Sequence, residues 1–154
     1  ARCGDRTARG APVVAGGWAG AAVVGPADSP GLGPRVGGSD CGKWETISQR
    51  NSWIEVGDDD KIAFPAITMA GQSVFRWAVY SMAPIAQAAL DRAGIKADDL
   101  DAFIPPQSNM RIIDALVKKP KLPEHIAIAR DIAETGNTSA ASFPPATLLM
   151  LASG

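Results

Sequence analysis

Two polar turns contain the side chains of this sequence that are best placed for chemistry. In the first turn, Gln107, Ser108 and Asn109 follow the apolar, proline-bounded run at 103–106. Such a run is typical of a strand end, and Ser108 or Asn109 can cap the helix that we expect to begin at Met110. Polar side chains between a strand and a helix are a common location for ligand binding and catalysis in α/β proteins.

The second polar turn is centred on Asn137, in a Gly-Asn-Thr-Ser run that precedes a stretch of small residues. The carboxamide of an asparagine carries an NH₂ group that can donate hydrogen bonds to an oxygen on which negative charge develops. An asparagine after a glycine and before a helix is also a common helix cap, and the residues alone favour the cap. They leave the role of Asn137 open between a cap and a donor.

Hydrophobic periodicity predicts the elements that position these turns. Extended pieces are predicted at 67–69, 102–105 and 126–129, and each is followed by a helix. The helices are expected at 72–93, at 110–119 and from 140 to about 151. We expect Pro84 to kink the first helix and Gly94 to end it. The second helix should bury one apolar face, formed by Ile112, Ile113, Leu116 and Val117.

The first third of the chain is rich in glycine and proline and gives weaker signals. Residues 1–17 are interpreted as an irregular leader. A short strand is predicted at about 19–24, and a second one is considered at 35–36. Residues 44–56 are predicted to form an irregular or strand-containing segment on the surface of the core. Together with the alternating strands and helices that follow, the pattern predicts an α/β layered domain with a buried sheet.

Length and composition limit the possible functions. The chain has 154 residues, enough for one modest domain with a hydrophobic core. Its formal net charge is −1, so the chain has no overall positive charge that would attract nucleic acid or an anionic membrane. No apolar run approaches the roughly 20 residues of a spanning helix. No signal-peptide core follows the first residues, so a cytoplasmic protein is expected.

Metal and thiol chemistry find little support in the sequence. Cys3 and Cys41 stand alone without a Cys-x-x-Cys pair, so each is interpreted as a plain thiol. The acidic run at 58–60 could bind a cation, but a solvated loop is the favoured interpretation because no distant partner is visible. His125 is the only histidine and is interpreted as a turn residue. No metal site is predicted.

Three segments of the chain match one enzyme family in order and spacing. They lie at 69–76, 104–119 and 131–142, and the last contains the specific run Gly-Asn-Thr-Ser-Ala-Ala-Ser. In these segments the chain resembles the C-terminal half of β-ketoacyl-acyl-carrier-protein synthase III, of the thiolase superfamily, over about residues 18–150. The resemblance implies an α/β, layered, thiolase-like half-fold at 18–154, with a mixed β-sheet packed against helices and incomplete at both ends.

The resemblance implies an acyltransferase of fatty-acid biosynthesis. In the family, a cysteine at a buried helix N-terminus takes an acyl group from acyl-CoA. Malonyl-acyl-carrier protein then loses carbon dioxide, and the resulting carbanion attacks the thioester. A histidine and an asparagine donate hydrogen bonds to the thioester oxygen during decarboxylation. Acyl-CoA is a substrate, and no covalently bound cofactor is implied.

The resemblance assigns the catalytic asparagine to Asn137 and the position of the histidine to Pro106. Proline has neither a side-chain donor nor a backbone N–H, so it cannot fill that role. The nucleophilic cysteine of the family lies in an N-terminal half that precedes the matched region. Neither Cys3 nor Cys41 has the small-residue helical context of that cysteine. The chain alone is therefore expected to be inactive.

The resemblance also implies binding residues and partners. Positions that line the family's pantetheine tunnel correspond to Gly71, Phe75, Ser108 and Asn109. Positions that contact acidic acyl-carrier protein correspond to Arg76, Arg111, Lys118 and Lys119. Without the family, these basic residues are better explained as the solvated faces of two amphipathic helices. A homodimer and an N-terminal half are the further partners implied.

Two other hypotheses remain open. The chain could be a non-catalytic relative that binds acyl-carrier protein or coenzyme A, because proline replaces the histidine. It could also be a damaged sequence, since Pro144 and Pro145 should weaken a helix that follows Asn137 unless that helix begins at them. We also expect the isolated chain to aggregate, because half of a two-lobed fold leaves a large apolar surface uncovered.

Overall fold

A computed structural model of the protein describes residues 16–29, 31–49, 51–58, 65, 67–119 and 122–153. Most of the predicted leader, including Cys3, lies outside these residues, as do Asp59 and Asp60 of the acidic run. The strands are β1 (Ile47–Gln49), β2 (Ile67–Met69), β3 (Ala102–Phe103) and β4 (Ala127–Ile128). The α-helices are α1 (Trp53–Asp58), α2 (Gly71–Ala93), α3 (Met110–Lys118), α4 (Ile132–Thr135) and α5 (Phe143–Ser153), with 3₁₀ helices at Cys41–Thr46, Ala97–Asp99 and Ser139–Ser142.

The described residues fall into two compact units. The first contains Ser39–Trp77, and the second contains Gly16–Gly38 and the described part of Ala78–Gly154. In the first unit, β1 and β2 pair antiparallel, with Ile47 opposite Met69. This pair confirms the extended piece predicted at 67–69 and the strand-containing segment predicted at 44–56.

The helix α1 begins with a capping box. The backbone N–H of Ser52 donates to Oε2 of Glu55 at 2.8 Å, and the backbone N–H of Glu55 donates to Oγ of Ser52 at 3.1 Å. These reciprocal bonds satisfy two amides at the start of the helix. The hydrogen bond from the Ser52 backbone is the main cause that lowers the pKa of the Glu55 carboxyl, and the Ser52 hydroxyl adds to it.

The second unit is built on the parallel pair of β3 and β4, with Phe103 opposite Ile128. Parallel strands need a crossover connection, and α3 supplies it. The apolar face of α3 packs against α2 in a core cluster that includes Ala78, Ala83, Ile112 and Leu116, bordered by Met82 and Phe103. The predicted face of α3 is confirmed at Ile112, Ile113 and Leu116, while Val117 is half-buried.

The helix ends agree closely with the signals in the sequence. Gly94 follows α2 with φ +68°, a left-handed conformation that glycine adopts without strain. Asn109 is the N-cap of α3, since its Oδ1 accepts from the backbone N–H of Arg111 at 2.9 Å. The helix α5 begins at Phe143, so Pro144 and Pro145 lie in its first turn. Backbone N–H groups in the first turn have no partner within the helix, so the N–H groups that proline lacks cost little stability there. The two prolines therefore start this helix and do not interrupt it.

Four expectations about strands and helix bounds were wrong in detail. Residues 19–24 and 35–36 form no strand: Val23 is fully exposed and Val24 is 72% exposed, and no described strand pairs with either segment. The strand predicted at 102–105 ends at Phe103, because the following prolines cannot donate to a ladder. The helix predicted from 140 begins only at Phe143, because Ser139–Ser142 forms a 3₁₀ turn.

The α/β class is confirmed, but the described strands are two or three residues long. They form two separate two-stranded sheets, one antiparallel and one parallel. The prediction of a buried sheet was wrong for the described residues, because both pairs are short, every residue of β2 is exposed, and no strand residue is fully buried. Helices and turns make up most of the frame around the candidate site.

Candidate functional site

A fully buried glutamine organises the first polar turn. Nε2 of Gln107 donates to the backbone oxygen of Pro105 at 2.9 Å and to that of Ala129 at 3.1 Å. Its Oε1 accepts from the backbone N–H of Ile132 at 3.2 Å. One side chain thus joins the end of β3, the end of β4 and the first residue of α4. Buried polar groups are stabilising only when they are paired, and this carboxamide is paired on both sides.

The same glutamine connects the two polar turns. Its backbone N–H donates to Oγ of Ser142 at 3.3 Å, across 35 positions in sequence. Ser142 is 2% exposed and is the last residue of the 3₁₀ helix that follows Asn137. The two segments that the sequence singled out separately are therefore held together in one unit.

The carboxamide of Asn137 is fixed on one side and free on the other. Its Oδ1 accepts from the backbone N–H of Ser139 at 2.9 Å, and its backbone oxygen accepts from the N–H of Gly16 at 2.7 Å. The bond to an N–H donor identifies Oδ1 as the bonded atom, so Nδ2 points the other way. Within the described residues, the NH₂ group donates to no partner.

Unusual backbone angles flank Asn137 on both sides. Gly136 has φ +69°, an angle that glycine adopts freely. Ser139 has φ +57°, an angle that is uncommon for residues other than glycine. A positive φ at a residue other than glycine costs free energy and persists only where the surroundings impose it. The turn that presents Asn137 is therefore defined by its backbone as well as by the side-chain bond to Ser139.

Pro106 lies half-buried beside an apolar cavity of about 350 Å³. The cavity is enclosed by the C-terminal part of α2, the Ala97–Asp99 turn, β3 with the residues that follow it, and α3. Its lining is mainly aliphatic and includes Met82, Leu90, Phe103, Ile104, Pro105 and Leu116. At this position the turn therefore presents an apolar ring and no hydrogen-bond donor.

The residues predicted to bind pantetheine lie in different local settings. The backbone N–H of half-buried Ser108 donates to the backbone oxygen of Pro106 at 2.9 Å, which tightens the turn. Asn109 is exposed and uses its side chain to cap α3. Gly71 and Phe75 are exposed in the first half of α2, which belongs to the first unit. Their assignment to a pantetheine tunnel stays a prediction.

The residues predicted to contact acyl-carrier protein are all exposed. Arg76 lies on α2, in the first unit. Arg111 and Lys118 lie on α3, and Lys119 occupies the C-cap of that helix. Asp114, the acidic residue of α3, pairs with Arg130 at 2.7 Å, so it does not neutralise these neighbours directly. The assignment of the four residues to a carrier contact also stays a prediction.

Other candidate groups remain apart from this site. His125 is exposed in a turn, and Cys41 is an exposed free thiol at the start of a 3₁₀ helix. Within residues whose placement is described, no three His, Cys, Asp or Glu side chains come together in a way that could hold a metal ion. None of the described helices is both long and apolar enough to cross a membrane.

Sequence reasoning did not identify the roles of Gln107 and Ser142. Gln107 was noted only as part of a polar turn, and Ser142 only as the end of a motif. The signal available for Gln107 was its position directly after two prolines at a strand end, where a carboxamide can satisfy neighbouring backbone groups. Its complete burial depends on contacts with β4 and α4, which no local pattern contains.

Comparison with known proteins shows what the chain is similar to. Residues 90–154 match the family described as 3-oxoacyl-[acyl-carrier-protein (ACP)] synthase III C terminal. The chain is 56% identical over 149 residues to β-ketoacyl-[acyl-carrier-protein] synthase III 1 of Streptomyces coelicolor, a match that covers 90% of this chain and 43% of the relative. It is 55% identical to the Streptomyces glaucescens synthase III, covering 90% and 42%.

Solved structures give the same result. The priming β-ketosynthase of the R1128 polyketide pathway aligns with a TM-score of 0.80 and 44% identity, covering 84% of this chain and 39% of that one. The 3-oxoacyl-(acyl carrier protein) synthase III of Pseudomonas aeruginosa PAO1 aligns with a TM-score of 0.64 and 33% identity, covering 76% and 34%. The chain spans about two fifths of the length of the curated relatives named above. The chain is therefore similar to β-ketoacyl-acyl-carrier-protein synthase III enzymes over about two fifths of their length, and its residues 90–154 match the C-terminal part of that family.

Proposed function

We propose that this chain acts as the C-terminal part of a β-ketoacyl-acyl-carrier-protein synthase III. The reaction joins the acyl group of an acyl-CoA to the two-carbon unit of malonyl-acyl-carrier protein and begins fatty-acid synthesis. The observation that carries the proposal is the carboxamide of Asn137, whose oxygen is bonded to Ser139 and whose NH₂ group has no partner within the described residues.

In this proposal Asn137 stabilises the enolate of the malonyl thioester. Decarboxylation leaves an electron pair on carbon, which delocalises onto the thioester oxygen. A donor fixed in direction before the reaction stabilises that oxygen without the cost of reorienting during the step. The bond from Ser139 to Oδ1 fixes the amide plane, and the network around Gln107 holds the adjoining segments. The bond to Oδ1 therefore leaves the NH₂ group available as a donor.

Pro106 limits the proposed activity. It occupies the position of the second oxyanion donor of the family and offers no N–H there. Loss of one preorganised donor typically lowers turnover by about a hundredfold to a thousandfold. We therefore place this chain in a slow condensing enzyme, or in a relative that binds thioesters with little turnover. The substitution at Pro106 is the observation that favours the second candidate.

The nucleophile belongs to another part of the protein in this proposal. A thiolate that accepts an acyl group is favoured at a buried helix N-terminus. Cys41 is exposed at the first residue of a 3₁₀ helix, which is a different setting. The acyl-enzyme would form on a cysteine outside this chain. A bacterial cytoplasmic location and a homodimer are further parts of the proposal and rest on the family alone.

A chimera tests the proposed function. The portion of the Streptomyces coelicolor synthase III that precedes the matched region would be fused to this chain, with the natural Streptomyces protein as reference. We expect release of carbon dioxide from malonyl-acyl-carrier protein and condensation with an acyl-CoA, both slower than in the reference. The chain without the added portion should release none.

The same chimera separates the two candidates. Binding of malonyl-acyl-carrier protein without turnover would support the non-catalytic relative. A soluble, folded chimera that neither binds nor turns over malonyl-acyl-carrier protein would contradict both candidates.

A further inference from the structure

An aromatic ring and a lysine form a contact on the surface shared by α2 and α3. Nζ of Lys119 lies 3.7 Å from the centroid of the Tyr80 ring. Both residues belong to the second unit, and Tyr80 is 65% exposed. An ammonium over the face of an aromatic ring is attracted by its quadrupole. A tyrosine exposed to this extent is not explained by packing in the core.

The contact restricts where the Lys119 ammonium can lie. The backbone of Lys119 is fixed, because its N–H donates to the oxygen of Ala115 at 3.0 Å at the end of α3. The ring then restrains the far end of a side chain that would otherwise sample many rotamers. A ring occupies only one side of an ammonium, so the other side remains open to a further anionic partner.

The helix α3 carries two further exposed basic side chains, Arg111 and Lys118, and Lys118 directly precedes Lys119. Arg111 and Lys118 are about two helical turns apart, so they share one face of α3. Asp114 is engaged by Arg130 through a 2.7 Å contact. We use the term basic face for Tyr80, Arg111, Lys118 and Lys119. A surface of this charge is complementary to an acidic protein.

We propose that Tyr80 is a positioning residue that holds Lys119 ready for an acidic partner on the basic face, and that this partner is acyl-carrier protein. The inference rests on the proposed function, which supplies the partner, and it adds a residue that the family resemblance does not assign. Ordering a free lysine at an interface costs affinity, and a lysine that is already restrained avoids much of this cost. Removal of the ring should therefore weaken binding about threefold to tenfold.

The test measures binding of acyl-carrier protein to the chimera described above at low ionic strength, by titration calorimetry, because the isolated chain is expected to self-associate. Tyr80→Leu should raise Kd about threefold to tenfold, while Tyr80→Phe should leave Kd within about twofold, because a phenyl ring also attracts an ammonium. Lys119→Ala should raise Kd at least as much as Tyr80→Leu. In the Lys119→Ala background, Tyr80→Leu should have no further effect, since Tyr80 acts through Lys119.

Lys43→Ala is the matched control for loss of one exposed charge, and it should leave Kd within about twofold. Circular dichroism of each variant checks that the helices are retained. Additive effects of Tyr80→Leu and Lys119→Ala would mean that Tyr80 contacts the partner directly and would overturn the positioning role. An unchanged Kd for Tyr80→Leu would overturn the inference alone. Failure of the folded, unsubstituted chimera to bind acyl-carrier protein would overturn the inference together with the partner named in the proposed function.

Discussion

The backbone N–H of Gln107 donates to Oγ of Ser142 at 3.3 Å. Gln107 follows the short strand β3, and Ser142 ends the 3₁₀ helix that leads away from Asn137. The bond joins the two polar turns without any strand pairing between them. Together with the bonds of the Gln107 side chain to Ala129 and Ile132, it makes this buried carboxamide the structural centre of the candidate site.

Gln107→Leu should destabilise the chain by about 3 kcal/mol. The substitution keeps a similar volume but leaves the carbonyl groups of Pro105 and Ala129 and the N–H of Ile132 without their partner. Each buried polar group left unpaired costs about 1–3 kcal/mol. Urea unfolding followed by circular dichroism measures the change in the free energy of unfolding.

Gln87→Leu is the matched control for that experiment. Gln87 is exposed on α2 and, among the residues that the structure describes, bonds only to Asp91 on the same helix. Its replacement should change stability by no more than about 0.5 kcal/mol. Equal effects of the two substitutions would show that the buried network does not stabilise this part of the molecule.

Substitutions of Asn137 should separate its structural role, the bond to the N–H of Ser139, from its role as a donor. Asn137→Asp keeps an oxygen for the N–H of Ser139 but removes the NH₂ group, whereas Asn137→Ala removes both. Asn137→Ala should lower stability by about 1 kcal/mol, and Asn137→Asp should lower it less. Both should slow decarboxylation in the chimera by about a hundredfold or more.

The comparison of the two Asn137 variants decides between the hypotheses. Stability is measured by urea unfolding, and decarboxylation by release of carbon dioxide from malonyl-acyl-carrier protein. If Asn137→Asp retained full decarboxylation, the NH₂ group would not be the oxyanion donor. Asn137 would then have only its structural role.

Pro106→His should raise the turnover of the chimera by about a hundredfold or more. The substitution supplies an imidazole donor at the position where the family resemblance places one. The side chain here is half-buried beside an apolar cavity, so a small loss of stability is expected alongside the gain in activity. The rate of condensation at saturating substrate measures the effect.

Ser108→His provides the control for Pro106→His. It places an imidazole in the same turn, at another half-buried position, and should not raise turnover. A histidine at 106 that leaves turnover unchanged in a folded chimera would contradict the assignment of that position. A similar gain from both substitutions would show that the turn does not require a donor at one defined place.

Local signals in the sequence were enough to predict α2, α3, most of α5 and the two polar turns, but neither α1 nor α4 was predicted. Apolar spacing gave the buried face of α3, and Asn109 and Gly94 act as the expected ends of helices. The strand predicted at 19–24 was wrong because a strand requires a hydrogen-bonded neighbour, and within the described residues that segment has none. Local sequence predicts the tendency to extend, while pairing depends on residues far away.

The arrangement of the site was less predictable than its elements. From the sequence, Asn137 is either a helix cap or a donor. In the structure the N-cap of the following 3₁₀ helix is Thr138, and Oδ1 of Asn137 accepts from the backbone N–H of Ser139, while its nitrogen has no partner within the described residues. The sequence does not predict the role of Gln107, because its side chain bonds to backbone groups that come from three separate segments. Such networks are formed by tertiary structure and leave no periodic signal in the sequence.

The apolar surface of α5 should make the isolated chain self-associate. This helix carries no charged residue, and Leu148 and Leu151 are 67% and 77% exposed. A helix that is apolar on all sides is typically buried, and an exposed one promotes association. The double substitution Leu148→Glu with Leu151→Lys should reduce the association seen by light scattering, at little cost in helix content, because both side chains are exposed. The control, Leu148→Met with Leu151→Met, keeps the apolar surface and should associate as the parent chain does. If the charged and the methionine variants associate equally, the exposed face of α5 is not the cause.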